Sequence, residues 1–359
     1  MRKHLTKSRV ILGLKALLLI ACVGILVRTL AHADWATAGH RLEHVGLAVL
    51  LIPLPLPIAL LIDAAAWSAL LGRLERRVPL LRLFRVRLST EAVTNALPAG
   101  AVAAEVLGPV LLARDVPVAA SLSTSAAKRW IIIRTHGYYV AIAGVLGFQG
   151  LAAGSRVMLH NHALPWIVFG FAFALLALSL TLEKATTRFG IAGRVHDSFE
   201  RVKHSRLFSW ARVGARESFA QVDTELARLG KQVHVVPNIL IFTVWMLEAL
   251  ESYVILRVLG VHPSFIDVFA LDAALSVVRS LAVFAPAGLG VQDLGYLAFF
   301  QAYGFTDPMA VGPAFLILKR TKDLIYVAVG LVLLLIARRT RPQTDASETS
   351  ADADLESAA

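Results

Sequence analysis

Apolar residues lie along this chain in long blocks rather than in strict alternation. Six stretches, 10–30, 45–71, 130–149, 164–182, 236–258 and 309–337, are long and mostly apolar, and about 18 such residues are needed to cross a hydrocarbon core. Each predicts a transmembrane helix, because in lipid every backbone N–H and C=O must be paired within its own segment. Two further apolar segments, 88–113 and 265–303, are too long for loops and carry Pro and Gly near their middles: Pro98 with Gly100, and Pro286 with Gly288 and Gly290. Proline removes a helical donor and clashes with the preceding turn, so each segment is expected to form two half-helices meeting at a break. The expected fold is an all-α polytopic membrane protein with about six transmembrane helices and two re-entrant helical hairpins.

Composition strengthens this reading. Of 359 residues 57% are hydrophobic and 17% charged, against about 25% charged in soluble domains, and the mean hydropathy is +0.66. Soluble enzyme folds are excluded. The net charge of +11 is explained by where the bases sit: segments 1–9, 72–87, 183–235 and 338–342 hold 23 Lys and Arg, whereas 31–44 and 150–163 hold two. That asymmetry is the positive-inside pattern. It predicts a bacterial-type inner membrane protein with both termini and the 183–235 loop in the cytoplasm. The charge then faces anionic headgroups, which excludes nucleic acid as a partner. Ala31-His32-Ala33 has the form of a signal-peptidase site, but the apolar run before it is long for a signal peptide, which favours a retained first span. Cys22 is the single cysteine. Residues 343–359 are small, polar and acidic and read as a disordered tail beyond an integral membrane domain over 1–342. The 183–235 loop is expected to hold one or two amphipathic helices (Phe199, Val202, Leu207, Phe208, Trp210) on the headgroup surface, or a plain cytoplasmic hairpin.

Orientation relates the two hairpins. The first must be entered from the cytoplasm and the second from outside, and their sequences match: Pro98-Ala99-Gly100 with Glu105 five residues later, and Pro286-Ala287-Gly288 with Asp293 five residues later. Seven residues before each Pro stands a charge, Glu91 or Arg279, and about thirty residues after it a basic pair, Lys128-Arg129 or Lys319-Arg320. Two inverted-topology repeats, about 88–149 and 265–337, are therefore expected. Such repeats with broken helices mark many secondary transporters, although a duplication kept for packing alone gives the same pattern.

Ionisable groups inside spans are costly and usually functional or paired. Glu105 and Asp293, just past the breaks, are expected to accept hydrogen bonds from a lipid headgroup or pair with a cationic one, or else to cap their own half-helices or pair with a base of the other repeat. Arg279 binds an anionic headgroup or pairs with Asp272 or Glu91. Lys128, Arg129 and Arg134 open one span. Lys319, Arg320, Lys322 and Asp323 interrupt another about 15 Å from either end, as a polar path or a salt-bridge network with Glu91, Glu105 or Glu248. Glu248 and Glu251 share a helical face and hold a proton or cation, or pair with the basic clusters; Asp63 is read the same way. Gly288-Leu-Gly290 lacks the third glycine of a dinucleotide motif, and neither His40 with His44 nor His160 with His162 has the companions of a zinc site. No metal and no cofactor are expected.

The run Arg279 to Phe300, centred on Pro286-Ala-Gly-Leu-Gly-Val-Gln-Asp293, resembles the lysylphosphatidylglycerol synthase transmembrane region, a flippase-like membrane family, and Asn95-Ala-Leu-Pro98 with Gly100 and Glu105 resembles its first-half motif. The resemblance spans roughly 10–340. It implies translocation of a polar lipid, of phospholipid or hopanoid type, between leaflets, with membrane lipids and lipid-biosynthesis enzymes as partners. Gln292, where much of the family has Arg, is similar to the hopanoid-associated branch. Val106-Leu107-Gly108 follow the first acid where an Arg is common, which points away from a phosphate-type headgroup. The family's aminoacyl-transfer domain has no counterpart in the 53-residue loop 183–235, so a transporter rather than an enzyme is expected. The alternatives are a membrane-embedded lipid-modifying transferase, for which no convincing His/Asp set is present, and a non-catalytic scaffold of a lipid-biosynthesis complex.

Overall fold

The computed structural model describes residues 34–97, 100–189, 216–232, 234–281, 291–304 and 307–339, together with Gly24, Val27 and Ala31. Among them there is no strand. Twelve α-helices follow in order: α1 Trp35–His44, α2 Pro55–Arg73, α3 Leu80–Ala96, α4 Gly100–Leu112, α5 Val118–Leu146, α6 Phe148–Leu159, α7 Ala163–Phe189, α8 Arg216–Gly230, α9 Val235–Val258, α10 Phe265–Leu281, α11 Val291–Ala302 and α12 Pro308–Arg339. A 3-10 segment, Gly46–Leu51, leads into α2. The expected all-α polytopic membrane fold is what the chain adopts.

Local chemistry sets the helix ends. Asp34 caps α1, accepting from the Thr37 N–H at 3.0 Å, which satisfies a donor the first turn cannot pair internally. Ser264 and Asp267 close a reciprocal cap at the start of α10, with the Ser264 hydroxyl donating to Asp267 at 2.6 Å and accepting from its N–H at 3.1 Å. Pro79 and Pro117 stand just before α3 and α5, where a missing N–H costs nothing.

Among the described residues three or four of the six expected spans are seen. Gly46–Arg73, Ala163–Arg188 and Val235–Val258 are long and apolar enough to cross a membrane, and α5 with α6, bent by 83° at Gly147, gives a fourth if taken as one span. Residues 10–30, apart from Gly24 and Val27, and the 343–359 tail lie outside the described residues. The 309–337 span is a single helix of 32 residues, but the charges at 319–323 interrupt its apolar run. The segment 150–163, read as an outer loop, instead begins with helix α6 set across the end of α5. In the 183–235 loop α7 continues to Phe189 and α8 packs on α5, where the Ser123 hydroxyl donates to the Val222 carbonyl at 3.2 Å. The five residues named for an amphipathic surface helix lie outside the described residues.

Helices α3 and α4 flank the first expected break, and α10 and α11 flank the second, whose residues 282–290 lie outside the described residues. The first arm of the first hairpin is longer than expected, since α3 starts at Leu80 rather than near 88. Gly100 opens α4, and a Cβ there would overlap the Val93 and Thr94 carbonyls, so only glycine lets the returning helix start so close to α3. Gly330 serves α12 in the same way, because a Cβ would run into the Leu88 carbonyl and Ala92 of α3. Small residues at such crossings let helices approach closely in lipid, where no hydrophobic force drives them together.

Two sets of four helices correspond. α2–α5 have 19, 17, 13 and 29 residues, and α9–α12 have 24, 17, 12 and 32. Within each set the first helix packs on the second and fourth, and the third packs on its two neighbours. Across the sets, α2 lies on α9, α3 on α12 and α5 on α10, the exchange expected of two related halves.

Candidate functional site

The matching helices carry matching charges. In the first half Lys128 of α5 donates to Asp63 of α2 at 2.9 and 3.3 Å, and Arg87 of α3 pairs with the same carboxylate. Arg129 faces Glu105 of α4 at 3.5 Å. In the second half Lys319 and Lys322 of α12 hold Glu251 of α9 at 2.8 and 2.6 Å. Arg320 faces Asp293 of α11 at 2.5 Å and Asp323 at 3.2 Å. Each repeated lysine lies against an aromatic ring, Lys128 at 4.9 Å from Trp67 and Lys319 at 5.5 Å from Tyr296.

The two networks differ in access. Asp293 and Glu251 are 3% and 6% exposed, whereas Glu105 and Arg129 are 41% and 50% exposed. The first network borders a cleft of about 140 Å³ between α2, α3, α4 and α5, lined by Arg87, Glu91, Glu105, Lys128 and Arg129 among others. Trp67 lies along it, with its indole N–H donating to Thr124 at 3.0 Å. Glu91 accepts from the Asn95 amide at 3.1 Å and stands 3.8 Å from Arg87. Pro109, within α4, also lines the cleft. Having no N–H, it leaves the Glu105 carbonyl without its helical donor. Cations and carboxylates therefore face one space, the equipment for gripping a polar group of mixed charge.

The sequence-derived candidates are distributed as follows. Glu91, Glu105, Lys128 and Arg129 come together at the cleft. Asp293, Lys319, Arg320 and Glu251 come together in the closed second network. Arg279 pairs with Glu248 at 3.1 Å and Asp272 at 3.4 Å, so Glu248 and Glu251, though on one helix, serve different cations. Arg134 leaves the group and pairs with Glu183 of α7. Gly100 begins α4, whereas Pro98, Pro286, Gly288 and Gly290 lie outside the described residues. Arg87, counted with the cytoplasmic bases of 72–87, is on α3 inside the first network. Asp63 is central rather than incidental, and the sequence held a signal for it: Asp63 precedes Pro98 by 35 residues and Glu251 precedes Pro286 by 35. The cation missing after Glu105 in sequence is supplied in space by Arg87, Lys128 and Arg129.

Long apolar helices and charges held within their spans define an α-helical integral membrane protein. The chain belongs to the family described as the lysylphosphatidylglycerol synthase TM region, whose profile matches residues 10–330. Comparison with characterised proteins and with solved structures gave no match.

Proposed function

We propose that the protein moves a polar lipid, of phospholipid or hopanoid type, between the leaflets of a bacterial-type inner membrane, with its termini cytoplasmic. The observation that carries this reading is the cleft at the first hairpin. It is a space at a broken helix lined by Arg87, Glu91, Glu105, Lys128 and Arg129, where a headgroup can exchange its hydration for side-chain partners. Irregular backbone at membrane depth is tolerated where it lines such a cavity. The corresponding helices, contacts and ion pairs of the two halves support an inverted repeat, the architecture in which a central site is reached from alternate sides. In this reading the chain is a transporter without a catalytic group, its partners are membrane lipids, and lipid-biosynthesis enzymes deliver or receive its cargo.

The test is reconstitution of the full chain in liposomes with headgroup-labelled lipids. Wild type is expected to exchange label between leaflets, and Glu105→Gln with Arg129→Gln to slow exchange at least tenfold while remaining folded. Equal exchange by wild type and the double variant would overturn the cleft as the path.

A further inference from the structure

One group of charges has no counterpart in the other half. The repeated networks are balanced: Asp63, Glu91 and Glu105 face Arg87, Lys128 and Arg129, while Glu251, Asp293 and Asp323 face Lys319, Arg320 and Lys322. The third group is Glu248 of α9 with Arg279 and Asp272 of α10, two carboxylates on one guanidinium. At the positions matching Glu248 and Asp272, 38 and 14 residues before the break proline, the first half has Leu60 and Phe84. The unbalanced group is thus an addition to the duplicated pattern.

Among the described residues, its surroundings do not supply the missing positive charge. From α5, the Tyr139 hydroxyl donates to Asp272 at 2.8 Å, and His136 stacks on Trp245 at 4.0 Å. From α3, Glu91 is engaged by Arg87 and Asn95. From α12, Lys319 and Lys322 are engaged by Glu251, and from α2, Asp63 is held by Arg87 and Lys128. Glu248 lies 13 residues into the 24-residue α9, roughly 15–20 Å from either end at the helical rise. An uncompensated ionised carboxylate at that depth is expensive, and the ordinary relief is to take up a proton. Access is graded as well: Asp272 is 3% exposed and sealed by Tyr139, whereas Glu248 is 37% exposed.

We propose that Glu248 is an exchangeable proton-binding site, taking up a proton because Asp272 already balances the charge of Arg279, and that this proton couples lipid movement to a transmembrane pH gradient. The site stands on the charge geometry alone, and only the coupling rests on the lipid-transport reading. No covalent step is involved: the carboxylate gains a proton from water on one side and returns it on the other. Sodium is disfavoured as the ligand because the Arg279 guanidinium already occupies the space between the two carboxylates.

The full chain in lipid nanodiscs, followed by infrared spectroscopy from about pH 5 to pH 9, reads the site directly. A protonated-carboxyl stretch is expected in wild type, titrating across the range and lost in Glu248→Gln. It should also be lost in Asp272→Asn, which leaves Arg279 with one acid and removes the need for a proton, and this second variant decides the matter if the first fails to assemble. A missing band in wild type, or one that survives Glu248→Gln, overturns the site. In vesicles of phosphatidylethanolamine and phosphatidylglycerol with a fluorescent phosphatidylethanolamine probe, one proton per lipid shifts the leaflet ratio by up to about tenfold per unit of pH gradient. In Glu248→Gln the ratio is expected not to respond. A sodium gradient acting in place of the pH gradient overturns the proton assignment. A titrating band with no probe movement under any gradient upholds the site but overturns both the coupling and the phospholipid form of the transport reading.

Discussion

The two halves of this molecule hold similar ions in different ways. Around Glu251 and Asp293 the second network is sealed, and its charges hold helices α9, α11 and α12 together. Around Glu105 and Arg129 the first network opens into a cleft, and a pair at 3.5 Å with both partners about half exposed gives little stability. One repeated pattern thus supplies a structural clamp on one side and an available binding surface on the other. Intramembrane charge is common to both halves; accessible charge beside the first pair of half-helices is what the proposed function rests on.

Breaking the closed side should cost most. Glu251→Gln removes the acid from two buried cations, and loss of one partner of a buried pair destabilises by about 3–5 kcal/mol. A lowered unfolding midpoint in detergent and poor recovery of folded protein are the expected readouts. Asp63→Asn is expected to behave alike, because Asp63 holds Arg87 and Lys128 behind the cleft. If Asp63→Asn instead left stability unchanged and affected only lipid exchange, the clamp would be confined to the second half. Gly330→Val should follow, with overpacking against Leu88 and Ala92 costing about 1–3 kcal/mol, read in the same unfolding experiment. Arg129→Gln is expected to change stability by less than about 1 kcal/mol while slowing lipid exchange, the reverse of Glu251→Gln.

The smallest effect lies outside both networks, at His234. This side chain precedes α9 and faces the Leu229 carbonyl at 2.9 Å through Nε2. Burial holds its imidazole below the ordinary histidine range. The folded protein therefore favours the neutral ring, and as the pH falls through the ordinary histidine value of about 6.5 the unfolded chain takes the proton first, so folding loses stability. Amide exchange in α8 and the first turn of α9 is expected to rise between about pH 7.5 and 5.5 in wild type and to stay level in His234→Gln.

Much of this comparison was legible in the chain itself. Apolar blocks with hardly a charge dictate helices, and Pro-Gly breaks followed five residues later by an acid dictate the hairpins, so the class and α3–α4 and α10–α11 follow from local physics. Pairing was harder to read. Arg87 follows a run of arginines that belong at a membrane surface, and nothing local says that the chain re-enters at Leu80 and carries it inside. Asp63 stood alone in an apolar span until its offset from Pro98 was set beside that of Glu251 from Pro286. Arg134 looked like part of the Lys128-Arg129 cluster, yet it lies five residues beyond Arg129 on a 29-residue helix and reaches α7 instead. Accessibility was not legible at all. Sequence spacing makes Glu105 and Asp293 equivalent, and only packing shows that one is open and the other sealed.

The central claim is that the accessible charges of the first hairpin form the path of a lipid headgroup. Site-specific photocrosslinking tests it most directly, with a photoreactive residue placed at Thr94 or Ala101 on the cleft, or at Gly295 or Leu316 near the closed network. Capture of headgroup-labelled lipid at Thr94 and Ala101, weakened by Glu105→Gln with Arg129→Gln, is the result this account requires. Equal capture at all four positions, or capture that ignores the cleft charges, would contradict it.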